Sequence, residues 1–96
     1  MAAYVIADID VHDQEAYREY GTLVPATLQP HGGRYVVRGG SHETLEGDWR
    51  PRRLVVIEFP SAEHARRWHA SQEYAPALAM RQRASTGNLV LVEGTP

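Results

Sequence analysis

Short runs of apolar and β-branched residues alternate with stretches of helical spacing, and together they predict four strands and two helical regions. The predicted strands are residues 4–9, 34–40, 53–59 and 88–94. Asp13 is the predicted N-cap of the first helix, and Pro25 is expected to kink that helix or to begin a new turn. Ser61 and Ser71 are the predicted caps of the two segments of the second helical region.

The resulting β-α-β-β-α-β order is the ferredoxin-like arrangement, an α+β fold with a four-stranded antiparallel sheet whose first and third strands are central. The last two strands are apolar on both faces, whereas a sheet with one solvated face alternates apolar and polar side chains. Two helices can cover only one face of such a sheet. The pattern therefore predicts that a second copy of the chain covers the other face, which makes the protein a homodimer joined sheet to sheet.

Because side chains alternate along a strand, the strand residues divide into two predicted sets. The first set is apolar apart from one tyrosine hydroxyl and is expected to face the helices: Val5, Ala7, Ile9, Tyr35, Val37, Val55, Ile57, Phe59, Val90 and Val92. The second set is apolar in the middle, charged at its ends, and expected on the opposite face: Tyr4, Ile6, Asp8, Arg34, Val36, Arg38, Leu54, Val56, Glu58, Leu89, Leu91 and Glu93.

Glu58 is the one charged residue within the apolar segment 54–59, and such a charge needs either an ion-pair partner or a functional role. If the second and third strands pair with Arg38 opposite Leu54, then Arg34 lies opposite Glu58. A cross-strand ion pair of this kind contributes roughly 0.2–1 kcal/mol. We favour this structural role for Glu58, and a ligand-binding or catalytic role and a dimer contact are the alternatives.

The composition is that of an ordinary globular protein, and 96 residues make a single domain, 1–96. A net charge of −2 and a pI of about 6.2 do not favour nucleic acid as a partner. No apolar run approaches the roughly 20 residues of a membrane span, and no signal peptide is expected. The absence of cysteine fits a cytoplasmic location and excludes a thiol nucleophile.

Few residues are candidates for acid–base or binding chemistry. His31 could be a general base, because the pKa of an unperturbed histidine lies near neutral pH, although a histidine at a helix end is also favoured by the helix dipole. Arg38, in "RGG", could hold an anionic or enolate oxygen, or simply end a strand. No histidine–carboxylate cluster has metal-ligand spacing, so no metal is predicted. Four aromatic residues at helical positions are candidates for the core or for the wall of a pocket: Tyr17, Tyr20, Trp68 and Tyr74.

A set of motifs extends over about residues 3 to 94. The motifs are "YREY" with Pro25, "HGGRYVVRGG", "LEGDW" followed by Arg53, "VVIEFPS", "RRWHASQEY", Arg81 and "LVLVEG". Together they resemble the domain of unknown function 1330 family of the dimeric α/β-barrel superfamily, although Gln72 stands where that family often has proline. The resemblance implies a ferredoxin-like protomer whose sheet joins a second sheet in a barrel. The superfamily to which this resemblance points includes cofactor-independent monooxygenases, isomerases, decarboxylases, cyclases and haem-degrading enzymes.

The leading hypothesis is a cytoplasmic homodimer that binds a small apolar or aromatic metabolite and acts on it by acid–base chemistry without a cofactor. In this hypothesis His31, Glu58 and a tyrosine transfer protons, Arg38 anchors an oxyanion, and the four aromatic residues contact the substrate. The alternative is a non-catalytic ligand-binding or accessory dimerisation module. A large internal cavity that holds Arg38 or His31 would favour the enzyme, and a packed protomer without a cavity would contradict it.

Overall fold

The four predicted strands form, and the second helical region divides into two helices. The computed structural model describes residues 1–96. Its elements are the strands β1 (Ala3–Val11), β2 (Arg34–Arg38), β3 (Leu54–Phe59) and β4 (Ser85–Glu93), the helices α1 (Gln14–Leu28), α2 (Ala62–His69) and α3 (Ala75–Ala84), and a short 3-10 turn (Gln29–His31). None of the helices is long and apolar enough to cross a membrane.

The strands form one antiparallel sheet in the order β2-β3-β1-β4, so β1 and β3 are central. This order confirms the ferredoxin-like α+β fold. The helices pack against one side of the sheet, which we call the helix face, and the opposite side is the outer face. Residues along β1 alternate between buried and half-buried positions, as expected for a strand with the core on one side.

The hydrophobic core lies between the helix face and the helices. A cluster of 13 buried residues forms it, and each large side chain of this kind contributes roughly 1.5–3 kcal/mol when it leaves water. The largest fully buried side chains belong to Trp68, Tyr74, Phe59, Ile9 and Val24. These residues come from β1, β3, α1, α2 and the turn before α3, and Ala77 of α3 belongs to the same cluster, so the core joins the sheet to every helix.

Side-chain caps set the starts of α1 and α2 as predicted. The Asp13 carboxylate accepts a hydrogen bond from the Ala16 N–H at 3.0 Å, and the Ser61 hydroxyl accepts one from the His64 N–H at 3.2 Å. Ser71 does not cap α3, because that helix begins at Ala75. Its hydroxyl accepts a hydrogen bond from the N–H of the residue before α3, at 3.2 Å, and so fixes the turn that leads into the helix.

The predicted division of β4 between the two faces is wrong. Val5 and Ala7 lie opposite Leu91 and Leu89, so the two leucines and not the valines share the helix face. Val90, opposite Ile6, is on the outer face and 56% exposed. The sequence of β4 is apolar at consecutive positions, and a strand without polar alternation carries no signal that distinguishes its two faces.

The predicted register of β2 holds at one end and fails at the other. Arg34 lies opposite Glu58, as predicted, but Arg38 lies opposite Val55 and not opposite Leu54. The register shifts between residues 35 and 37, where β2 contains one more residue than β3. Such a β-bulge turns the residues beyond it to the other face. Arg38 therefore shares the helix face with Val55, and Val37, predicted for the core, moves to the outer face.

Candidate functional site

A cavity of about 540 Å³ lies between the helix face and the helices α1 and α3. Apolar strand residues, including Val5, Ile9 and Ile57, form its floor, and residues of α1 and α3 form its walls. Its volume lies within the range of about 300–1,000 Å³ that is typical of small-molecule sites. The fold thus leaves a space large enough for a ligand inside a single protomer.

Aromatic residues form one wall of this cavity. Tyr17, Tyr20, Trp68 and Tyr74, the four predicted binding residues of this type, all line it. The Trp68 and Tyr74 rings pack with their centroids 4.0 Å apart, and the hydroxyls of Tyr20 and Tyr74 are joined by a hydrogen bond of 2.9 Å. The indole Nε1 of Trp68 donates to the Thr27 hydroxyl at 3.0 Å. The polar tips of the most buried rings are therefore satisfied within the protein, as buried aromatic residues require.

Two tyrosines of the cavity remain protonated over the whole physiological pH range. Burial raises the pKa of Tyr20 far above its ordinary value, the neighbouring Tyr74 raises it further, and the charge of Arg81 offsets only part of the effect. Burial likewise raises the pKa of Tyr35 to about 12, against a smaller opposing effect of the Arg38 charge. Both phenols are therefore neutral hydrogen-bonding groups and do not neutralise the positive charges around them.

Four arginines line the cavity, and no aspartate, glutamate or histidine does. They are Arg18, Arg38, Arg53 and Arg81, and none of them belongs to any of the four ion pairs of the protein. Arg81 is only 8% exposed. The Nε atoms of Arg53 and Arg81 are buried without a hydrogen-bond partner. The cavity is therefore strongly electropositive and has hydrogen-bond donors that the protein itself leaves unused.

Arg38 is positioned by two irregularities of the backbone. The bulge in β2 turns it to the helix face, and Pro25 supplies it with an acceptor on α1. Because proline has no N–H, the carbonyl of Gly21, four residues earlier, lacks its helical donor. The Arg38 Nη2 atom donates to this carbonyl at 2.6 Å, and the Arg38 guanidinium lies 4.3 Å from the centre of the Tyr35 ring. Helix α1 continues through Pro25 to Leu28, so of the two predicted outcomes, a kink or a new turn, the new turn does not occur.

His31, a predicted catalytic residue, lies outside the cavity. It ends the 3-10 turn, and its Nε2 atom is 3.1 Å from a carboxylate oxygen of Glu73. A backbone hydrogen bond and, after it, the hydrogen bond with His31 lower the pKa of Glu73 below its ordinary value. The structure thus gives His31 a surface partner between the turn and the segment that precedes α3.

Glu58, the other predicted catalytic residue, is on the outer face. Its carboxylate forms an ion pair with the Arg34 guanidinium across the two strands, which confirms the predicted pairing. The hydroxyl of Tyr4, its partner on β1, donates to its second oxygen at 3.4 Å. The sheet therefore separates Glu58 from the cavity, and Arg38 is the only charged residue among the predicted site residues that lines it.

Arg53 and Arg81 were not singled out by chemical reasoning from the sequence, although signals for both exist. Arg81 lies on the buried stripe of α3 together with Ala77 and Ala84, where a charged residue is unexpected. Arg53 precedes Val55 by two residues, so strand periodicity directs it to the helix face. Gly39 has a φ of 71°, and a side chain there would overlap the Arg53 guanidinium, which explains the glycine after Arg38.

Solved structures with the same fold are known. A protein of unknown function from Rhodopseudomonas palustris superposes with a TM-score of 0.78 and 19% identity, over 99% of this chain and 83% of that one. SnoaB, a cofactor-independent oxygenase from Streptomyces nogalater, superposes with a TM-score of 0.59 and 18% identity, over 99% of this chain and 94% of that one. An antibiotic biosynthesis monooxygenase superposes with a TM-score of 0.53 and 14% identity, over 100% of both chains. At such identities the similarity shows the fold and transfers no activity.

Sequence comparison gives a result at the level of the family. No curated protein matches the chain. The model of a family described as a domain of unknown function, DUF1330, matches residues 2–95 and so nearly the whole chain. The chain therefore belongs to the DUF1330 family, the family that its sequence motifs indicate.

Proposed function

We propose that the protein is a cytoplasmic homodimer of single-domain protomers that binds a small molecule with an apolar or aromatic body. The observation that carries this proposal is the cavity between the helix face, α1 and α3, with its apolar floor and its wall of four aromatic side chains. A flat ligand can stack on such a wall while the strand residues exclude water from its other side. The predicted binding residues Tyr17, Tyr20, Arg38, Trp68 and Tyr74 are the contacts that we assign to this ligand.

A ligand screen by thermal unfolding tests the proposal. A compound present at 100 times its dissociation constant stabilises the native state by about 2.7 kcal/mol, an effect that is easily measured. Ala7→Leu places a larger side chain on the floor of the cavity and should abolish the stabilisation. Ala26→Leu makes the same change at an exposed position of α1 and should leave it intact. Equal responses of the two variants would contradict binding in this cavity.

A cofactor-independent enzyme is the second candidate, and the buried hydroxyl pair of Tyr20 and Tyr74 favours it. Protonated phenols beside arginines can donate to an oxyanion that forms during a reaction. The similarity in fold to a cofactor-independent oxygenase supports this candidate. Because His31 and Glu58 lie away from the cavity, the geometry favours binding over acid–base catalysis by these two residues.

The enzyme candidate has its own experiment. Compounds found in the thermal screen are incubated with the protein and followed by mass spectrometry. Loss of one oxyanion donor typically lowers kcat by about 10²–10³-fold, so Tyr20→Phe should slow conversion by this order and change the affinity much less. A ligand that remains unchanged by the protein would favour the non-catalytic binding module.

The outer face supports the homodimer in this proposal. No helix covers it, and three of its valines are substantially exposed: Val36 at 49%, Val90 at 56% and Val92 at 46%. A contiguous apolar sheet face is typical of a surface that a second subunit covers. Light scattering should give twice the monomer mass, and Val90→Glu should give a monomer, whereas Leu23→Glu on α1 should not. A monomeric unmodified protein would refute the dimer.

A further inference from the structure

We propose that the ligand of the cavity is an organic monoanion, a carboxylate on an apolar or aromatic body, and that Arg53 and Arg81 bind its charge. This inference rests on the proposed binding function of the same cavity and specifies the class of ligand. The cavity concentrates cations in a protein whose net charge is −2, so the positive charge is local and does not reflect the composition. All 12 acidic residues of the chain lie outside the cavity lining.

The free-energy cost of burying arginines without counterions indicates that an anionic partner is missing. A buried charge without a counterion is expensive in free energy, and proteins normally pair it. Three other arginines of the chain, Arg34, Arg52 and Arg67, have carboxylate partners at the surface, where such pairs matter least. Arg81, at 8% exposure, has none. The arginines that most need a counterion are thus the ones that the protein leaves without it.

Hydrogen bonding leads to the same conclusion independently of charge. Across the whole protein, only two buried side-chain nitrogen or oxygen atoms lack a partner, the Nε atoms of Arg53 and Arg81. Both residues line one cavity, although they come from the start of β3 and from α3. Buried donors without acceptors are rare in proteins and each calls for an explanation. A ligand carboxylate in the cavity would give each guanidinium, through its other N–H groups, the acceptor that the protein does not supply.

The shape and polarity of the site select a carboxylate. An arginine guanidinium presents parallel N–H groups that match the two oxygens of a planar carboxylate. The floor of Val5, Ile9 and Ile57 requires an apolar body and offers nothing to a strongly hydrated multivalent anion. Tyr20 remains neutral at physiological pH, so it can add a hydrogen bond without repelling the ligand.

The experiment compares cinnamate with cinnamamide, which has the same body and no charge, by isothermal titration calorimetry at fixed ionic strength. A charge-assisted hydrogen bond typically adds enough affinity for at least a tenfold preference, so cinnamate should bind about tenfold or more tightly. Arg81→Met and Arg53→Met should each remove most of this preference. Arg83→Met, at an exposed position of the same helix α3, should leave it unchanged. Circular dichroism shows whether each variant is folded.

The possible outcomes separate this inference from the function on which it rests. Equal binding of cinnamate and cinnamamide, lost in Ala7→Leu, would overturn the assignment of an anion and keep the cavity as a binding site. Preference for cinnamate that survives both Arg81→Met and Arg53→Met would overturn the role of these arginines. Absence of binding by both compounds, together with no response in the thermal screen, would overturn the binding function itself.

Discussion

Replacing Arg81 by methionine should stabilise the protein in the absence of ligand. Arg81 is 8% exposed, belongs to no ion pair and has a buried Nε without a hydrogen-bond partner. Burial therefore costs this charge its hydration without a compensating contact. Methionine keeps an apolar side chain on the buried stripe of α3, which also contains Ala77, and removes only the charged head.

The size of the expected stabilisation depends on how far the Arg81 guanidinium is removed from water. The effective penalty for a charge in a dry interior is several kcal/mol, but a cavity of about 540 Å³ has room for water that solvates part of the guanidinium. We therefore expect a gain at the lower end, about 1–3 kcal/mol in the free energy of unfolding. For a domain of this size each kcal/mol raises Tm by roughly 4–8 °C. Stabilisation by loss of a functional group is the usual trade-off at binding sites.

Urea unfolding followed by circular dichroism measures this difference. Arg83→Met is the control, because residue 83 lies on the same helix at an exposed position, and surface substitutions usually change stability by less than about 0.5 kcal/mol. A loss of about 1 kcal/mol or more in Arg81→Met relative to this control would refute the reasoning. It would mean that Arg81 makes a favourable contact in the ligand-free protein and needs no external counterion.

Three further substitutions test separate contacts. Pro25→Ala restores an N–H for the Gly21 carbonyl and should raise the free energy of unfolding in urea by about 1–3 kcal/mol; a decrease would contradict this. Burial raises the pKa of Tyr20 in the folded state, so the folded protein holds that proton more tightly and loses stability as the pH rises above about 10. Tyr20→Phe should reduce this loss by about 1.4 kcal/mol per pH unit, and equal pH slopes would argue against the burial effect. Glu58→Gln should cost about 0.2–1 kcal/mol through the weakened contact with Arg34 and leave the affinity for cinnamate unchanged. A changed affinity would show that Glu58 acts on the ligand site.

Much of the fold is predictable from local patterns. The strand and helix order follows from hydrophobic periodicity, and the caps Asp13 and Ser61 mark two helix starts correctly. The pair of Arg34 and Glu58 follows from the antiparallel pairing of the consecutive strands β2 and β3 and from the need of a charge in an apolar strand for a partner. The caps and the periodic segments depend on a residue and its immediate neighbours, whereas the ion pair also requires the register of β2 against β3.

The errors in assigning strand residues to faces have one physical origin, which is that strand faces depend on register and not on residue type alone. Leu89 and Val90 are both apolar, so nothing in β4 itself shows which faces the core; pairing with β1 decides it. The bulge near Val36 leaves no local signal in "RYVVRGG", yet it moves Arg38 from the outer face to the cavity.

Part of the candidate site can be predicted from the sequence. Aromatic residues at helical spacing correctly indicated a shared location under the sheet, as Trp68 and Tyr74 show. The arginine cluster could not be predicted from the sequence, because Arg53 and Arg81 are separated by 27 intervening residues and line the same cavity only in the folded chain. His31 is predicted as a general base because histidine commonly serves in acid–base catalysis, but its position at the end of the 3-10 turn gives it a surface partner.

The most direct test of the central claim is a crystal structure of the protein grown with para-bromocinnamate, in which anomalous scattering locates the bromine. Our proposal predicts one bromine inside the cavity between the helix face, α1 and α3, with the carboxylate within hydrogen-bonding distance of Arg53 and Arg81. A bromine in the cavity with the carboxylate directed away from both arginines would contradict the anion site. A cavity filled by protein side chains, with bromine only at the surface, would contradict the binding function.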